Sequence, residues 1–190
     1  SVDMKTSEEG DVDINIVGKT HISTRLDPDE LEEEKKIGEG SFGVVYKGMF
    51  RGNVVAIKKM KETSSSEKKG GNKEDEDKMS EFEQEVSMLD KFRCDYIVHF
   101  YGAVFIPSKV CMVTEYAQYG SLNDLIEKRV NDPINKKMRV KILLDAARGI
   151  EYLHSNGILH RDIKPDNILV VSLDNQDRVH GKLTDFGSSR

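Results

Sequence analysis

The apolar positions of this chain change their spacing twice, and the changes divide it. A first strand is read at 33–39. Residues 44–50 and 54–60 then carry β-branched runs on either side of Arg51-Gly52-Asn53, which predicts a hairpin. From there the period lengthens: Met79, Phe82, Val86 and Leu89 recur every three or four residues and predict a helix over 79–92. Two more apolar runs, 96–106 and 110–116, read as strands joined by a turn at Pro107-Ser108. Gly120-Ser121 opens a short helix with Ser121 as its N-cap. The longest helix spans 136–156, with Val140, Leu143, Leu144, Ala147, Ile150 and Leu153 expected inside and Asn156-Gly157 ending it. Short strands at 168–171 and 182–184 close the pattern. A strand-rich first half around one helix, followed by a helical second half, predicts an α+β chain of two lobes.

Two polar stretches interrupt this. Residues 1–30 read as a linker. Residues 63–78 hold nine charges and no large apolar side chain, and read as a disordered insertion, with Ser64 to Ser66 open to phosphorylation or a partner. A net charge of −5 argues against broad binding to nucleic acid or anionic membrane. Cys94 and Cys111 sit in apolar, strand-like surroundings without a Cys/His cluster, so two reduced, buried thiols are expected. No run of 18 apolar residues exists that would span a membrane, and no signal peptide is read. A cytoplasmic location is the expectation, with tethering through sequence outside this chain left open.

The chemistry lies in four places. Gly38-Glu39-Gly40-Ser41-Phe42-Gly43 fits G-x-G-x-x-G, a spacing shared with dinucleotide-binding turns and with ligand-free hairpins. Val44, Val45 and Tyr46 continue as a strand rather than a helix, which disfavours the dinucleotide fold and a dehydrogenase. A Gly-rich loop bridging a hairpin lets backbone N–H groups approach phosphate oxygens without a Cβ in the way. Lys58 stands in the strand 54–60 among apolar neighbours, where a cation needs anions around it. Glu85 on the following helix is its expected partner. Glu81 and Glu83 are rivals, but Glu85 shares the face of Phe82 and Leu89. His160-Arg161-Asp162-Ile163-Lys164-Pro165-Asp166-Asn167 packs a carboxylate, cations and an amide between a helix and a strand. Asp162 can face an incoming hydroxyl, Lys164 a transferring phosphoryl, and Asn167 a metal. Asp185-Phe186-Gly187 follows a short strand, and carboxylate and amide oxygens of this kind suit Mg²⁺.

In this order and context the four motifs resemble the eukaryotic protein kinase family over about residues 33–190. The resemblance implies a two-lobed fold, with residues 31–117 a small lobe of antiparallel sheet plus one helix. Residues 118–190 would be an incomplete, mainly helical large lobe that ends in the activation loop. It implies ATP and Mg²⁺ as cofactors and a protein hydroxyl as substrate. Asp162 would be the catalytic base, with Lys164 stabilising the phosphoryl group and Asn167 and Asp185 holding metal. Ile37 and the loop Gly38, Glu39, Gly40, Ser41, Phe42 and Gly43 would cover the nucleotide. Thr114 would be the gatekeeper, and Glu115 to Ala117 the hinge that bonds adenine. Val45, Ala56 and Leu169 would sandwich the base. Leu89, Phe100, His160 and Phe186 would stack between the lobes, and Arg161 would meet a phosphorylated residue of the activation loop.

Lys164, two residues after Asp162, resembles the serine/threonine type. Glu115-Tyr116, Gly120-Ser121-Leu122 and Asp185-Phe186-Gly187-Ser188 are similar to the tyrosine-kinase-like group. The overall wording resembles receptor-type transmembrane kinases of amoebae, which would make this chain the inner part of a membrane receptor. The resemblance also expects further helices to cover 136–156, so a chain of this length is expected to be unstable and inactive on proteins. The alternative is a truncated, non-catalytic nucleotide-binding or interaction module.

Overall fold

The computed structural model describes residues 24–40, 43–61 and 73–190, together with the backbone of two short strands, β1 (Asp3–Thr6) and β2 (Val12–Asn15), which pair antiparallel. Five strands form the main sheet: β3 (Leu31–Glu39), β4 (Gly43–Phe50), β5 (Asn53–Met60), β6 (Phe100–Val104) and β7 (Cys111–Glu115). Their order is β3-β4-β5-β7-β6, and every neighbouring pair is antiparallel. The turn at Arg51-Gly52 places both residues at positive φ and closes the expected hairpin.

The run read as a strand from 96 is shorter in the sheet, and its hydrogen bonds explain why. Leu183 N donates to Tyr96 O at 2.9 Å, and Val98 N donates to Leu183 O at 2.9 Å. Residues 96–98 thus pair with β9 (Gly181–Leu183) of the second half before β6 begins. The described α-helices are α1 (Lys73–Lys91), α2 (Leu122–Lys128) and α3 (Lys136–Ser155). A capping box between Ser121 and Asp124 starts α2, and the Asn135 side chain accepts from Met138 N to start α3. A second ribbon pairs β8 (Ile168–Val170) with β9.

Helix α1 begins at Lys73, so its first residues fall inside the stretch expected to be disordered. Ser64 to Ser66 lie outside the described residues. The stretch expected to be a linker is also not featureless. Leu26 N donates to Ala103 O at 3.2 Å and Ala103 N to Thr24 O at 3.3 Å, which lays residues 24–26 beside β6. Leu26 and Leu31 then pack over one face of the sheet, on Phe50, Val55, Ile57, Val104, Cys111 and Val113. The other face, with Phe100, Ala103 and Met112, packs on Phe82, Val86 and Leu89 of α1. That cluster continues without a break through Ile142 and Leu153 of α3 to Leu183 and Phe186. One core therefore ties the two halves together.

The inward face of α3 differs from expectation. Met138, Ile142, Ala146, Gly149 and Leu153 are buried, whereas Val140, Leu143, Leu144 and Ala147 are exposed. Two apolar stripes compete on this helix, and polar and steric matches choose between them. The fully buried Asp145 carboxylate accepts from the His180 and Gly181 amides at 2.8 and 3.2 Å, which anchors the start of β9. A Cβ on Gly149 would sit 2.9 Å from Tyr96 O, so that side chain must be absent for the helix to close on the 96–98 segment.

Candidate active site

Cross-strand register builds the upper wall of the cleft. Val45 pairs with Lys58, and Ala56 pairs with Thr114 across β4, β5 and β7. Directly opposed residues share a face, and alternation puts Ala56 and Lys58 on the same side of β5. Val45, Ala56, Lys58 and Thr114 therefore line one surface. From it Lys58 Nζ donates to Glu85 Oε2 at 2.5 Å. Glu85 is buried, Glu83 half-buried and Glu81 exposed, so helical phase selects the partner among the three rivals. Burial pushes the Glu85 carboxyl above its usual range. The Lys58 charge and hydrogen bond and the Phe186 amide pull it back, while Asp185 adds to the rise. Lys58, Glu81, Phe82, Glu85, Asp185 and Gly187 surround about 210 Å³ of atom-free space, part of it open to solvent.

The Gly-rich loop is closed by Gly40 N donating to Gly43 O at 2.9 Å. Ser41 and Phe42 at its tip lie outside the described residues. Ile37 is exposed at the end of β3, and Gly38 and Glu39 pair with Val45 and Val44. The glycines on either side of the tip have different reasons. A Cβ on Gly43 would fall 1.8 Å from Lys59 O, so packing of β4 on β5 alone demands glycine there. Among the described residues, a Cβ on Gly40 would meet nothing within 4 Å. Gly40 is thus the one of the two that protein packing leaves unexplained. Glu39 pairs with Lys36 and Lys61, and these cations lower its carboxyl to about 2.

Below the cleft, the loop after α3 is organised around Asp162. Asn167 Nδ2 donates to Asp162 O at 2.9 Å and to Asp162 Oδ2 at 3.0 Å, and Lys164 Nζ lies 3.4 Å from the same carboxylate oxygen. Both donor hydrogens of the Asn167 amide are thereby committed, and its amide oxygen is the acceptor left over. His160 supports the loop from behind. Asp162 N donates to His160 Nδ1 at 3.3 Å, which puts the imidazole proton on Nε2, 2.9 Å from Thr184 O. The His160 ring packs edge-on to Phe186 at 4.9 Å, and Leu89, Phe100, His160 and Phe186 are all buried.

Asp185 and Arg161 both adopt positive φ, 64° and 65°, in a region uncommon for side-chain-bearing residues and concentrated at functional sites. Arg161 Nε donates to Ser188 O at 2.7 Å, and Leu159 and Arg190 exchange backbone hydrogen bonds at 2.8 and 3.1 Å. The start of the segment after Gly187 is therefore docked on the loop that carries Asp162. The hinge expectation falls on Glu115, Tyr116 and Ala117, where β7 ends and Gly120 N bonds Ala117 O at 3.0 Å. Leu169 lies on β8, which an isolated bridge with Ser121 sets against the start of α2.

Three polar contacts at the site escaped the sequence reading. Gln84 Nε2 donates to Ser189 O at 3.0 Å, which ties α1 to the segment after Gly187. Asp145 anchors β9. Lys182 on β9 reaches Glu115 at the end of β7, 2.6 Å away. A signal existed only for Asp145, a carboxylate in phase with Ile142 and Ala146 on a helix. The other two pair residues 67 and 105 positions apart, which no spacing rule reports.

The Gly-rich loop, the Lys58–Glu85 pair, the Asp162–Asn167 loop and Asp185 thus stand on the strands and loops where the kinase resemblance expects them. Comparison with known proteins agrees. Residues 31–190 match the protein kinase domain. The chain is 36% identical over 172 residues to the probable serine/threonine-protein kinase gdt4 of Dictyostelium discoideum, covering 90% of this chain and 10% of that protein. It is 38% identical to the stress-activated protein kinase alpha of the same organism, covering 92% of this chain and 24% of that protein. A putative serine/threonine-protein kinase/receptor, R831, of Acanthamoeba polyphaga mimivirus is also 38% identical, with 85% and 9% covered. This chain belongs to the protein kinase domain family, and it spans between about a tenth and a quarter of the length of these relatives.

Proposed function

We propose that this chain serves ATP-dependent phosphorylation of protein hydroxyl groups, on serine or threonine rather than tyrosine. The observation that carries the reading is the cleft itself, where the Lys58–Glu85 pair and Asp185 share one atom-free space. Lys58, held by Glu85, meets the α and β phosphates, and the backbone of the Gly-rich loop closes over them. Asp162 accepts the proton of the attacking hydroxyl, while Asn167 fixes the rotamer of its carboxylate and Lys164 places a cation beside it. Asn167 and Asp185 fit a divalent cation, because the remaining amide oxygen and a carboxylate are the hard oxygen donors that Mg²⁺ takes. When bound, that ion supplies charge neutralisation at the phosphate oxygens. The serine/threonine preference is supported by Lys164 and by the names of the gdt4 and R831 relatives.

Asp162→Asn in the intact protein should lower phosphate transfer to a generic protein substrate by about two to four orders of magnitude. ATP affinity should stay near wild type. Unchanged transfer would remove Asp162 from the role of base, and with it this mechanism.

The finer placement rests on motif wording. Glu115-Tyr116, Gly120-Ser121-Leu122 and Asp185-Phe186-Gly187-Ser188 support the tyrosine-kinase-like group. The mimivirus relative, named a kinase/receptor, supports placing the domain on the inner side of a membrane receptor. No described helix of this chain is long and apolar enough to cross a membrane, so that reading needs a span elsewhere in the protein. Membrane fractionation of the endogenous protein decides it: recovery in the soluble fraction alone would sink the receptor reading.

A further inference from the structure

We propose that Lys182 is a positioning residue for adenine: through the Glu115 carboxylate it fixes the strand end whose backbone faces the base. This rests on the reading of the cleft as an ATP site. Lys182 stands opposite Leu169 in the β8–β9 ribbon, so both side chains rise from the same face. Leu169 is the expected floor of the adenine pocket. Lys182 continues upward beside it, and its ammonium reaches Glu115 Oε1 at 2.6 Å. The same oxygen accepts from His99 N at 2.7 Å, and Glu115 N donates back to His99 O at 2.9 Å.

Three segments therefore converge on one carboxylate: the end of β7, the approach to β6, and β9, which leads to Asp185 three residues later. Both side chains are largely withdrawn from water, 15% and 22% exposed. An ion pair so placed is screened less than one on the surface, and removing one partner leaves the other half-buried without its counter-ion. Glu115 follows the gatekeeper position Thr114 directly. Its peptide is thus oriented from two sides, by the ladder to β5 and by the large-lobe lysine, and the pair couples lobe closure to hinge register. Nothing in this arrangement touches the phosphates, which Lys58 and the Gly-rich loop serve.

That separation defines the test. In the intact protein, a fluorescent ATP analogue is displaced by ATP and, separately, by magnesium tripolyphosphate. Lys182→Met keeps the apolar stem and removes the ammonium. It should weaken ATP about tenfold, the scale of coupling through a two-sided contact. Tripolyphosphate should compete as in wild type, because it uses only the phosphate half. Lys182→Arg should recover most of the ATP affinity. Adding Glu115→Gln to Lys182→Met should cause little further loss, since the two act as one unit. Equal ATP affinity in wild type and Lys182→Met overturns the proposal, and so does an equal loss of tripolyphosphate. A wild-type protein that binds tripolyphosphate but not ATP overturns the kinase reading itself, and this inference with it.

Discussion

Gly40 and Gly43 show how one motif mixes two physical demands. In Gly43→Ala the added methyl group would sit 1.8 Å from the Lys59 carbonyl, so the substitution must push β4 away from β5. Forcing atoms into a packed site typically costs about 1–3 kcal/mol. In a chain of this size each kcal/mol lowers Tm by about 2–4 °C. Gly40→Ala meets no described residue and no positive φ, so its Tm should stay within a degree or two of wild type, a surface-scale effect of at most about 0.5 kcal/mol. ATP affinity should report the opposite ranking of causes. Gly40→Ala weakens ATP without loss of fold, because its methyl group occupies the approach to the backbone N–H groups. Thermal melts and nucleotide titrations on the two variants check this together. If Gly40→Ala binds ATP as wild type does, the loop does not close on the phosphates at that residue.

At the scale of elements, α3 carries two apolar stripes and only one is used. Ile142 is fully buried in the cluster shared by both lobes and lies against Gly181 of β9, whereas Leu143 and Leu144 are about half exposed. Ile142→Ala should cost about 2–5 kcal/mol. Leu143→Gln and Leu144→Gln should each change stability by no more than about 0.5 kcal/mol. Urea melts of the three variants in the 190-residue chain measure the contrast. A loss at Leu143 as large as at Ile142 would mean that the outer stripe is covered. The helix itself was legible, because period 3.6 survives any choice of face. The chosen face was not, because it is set by Asp145 reaching the amides of β9 and by Gly149 admitting the Tyr96 carbonyl. The same division runs through the site. The pairing of Lys58 with Glu85 was legible because one lies in a local motif and the other is in helical phase with Phe82 and Leu89. The start of α1 at Lys73 was hidden by a run of charges. Contacts made only when the lobes meet, such as Lys182 with Glu115, have no local signature.

For the whole molecule, the wall of the cleft is polar as well as apolar, and its chemistry carries a sign. Burial holds the Glu85 carboxyl above the ordinary 4.5. The ionised form adds its charge to the 2.5 Å contact with Lys58. As pH falls through the raised value, Glu85 takes up a proton and Lys58 loses its anchor, so ATP affinity should weaken at a pH where an exposed glutamate would still be charged. Stability runs the other way. In the window between 4.5 and the raised value, the folded state binds the proton more readily than the unfolded chain does. The contribution of this carboxyl to stability is therefore present below 4.5 and is lost as pH rises through the folded value. Glu85→Gln keeps the shape and an oxygen acceptor but cannot ionise. Nucleotide affinity and Tm, each followed from about pH 7 downward in wild type and Glu85→Gln, separate this group from every other titration, including that of ATP. The difference between the two proteins should shrink for affinity as the acid side is reached, because protonated Glu85 and glutamine both lack the carboxylate charge that faces Lys58. An acid limb of equal depth in Glu85→Gln would assign the pH dependence to another group and leave the lysine–glutamate pair a packing contact only.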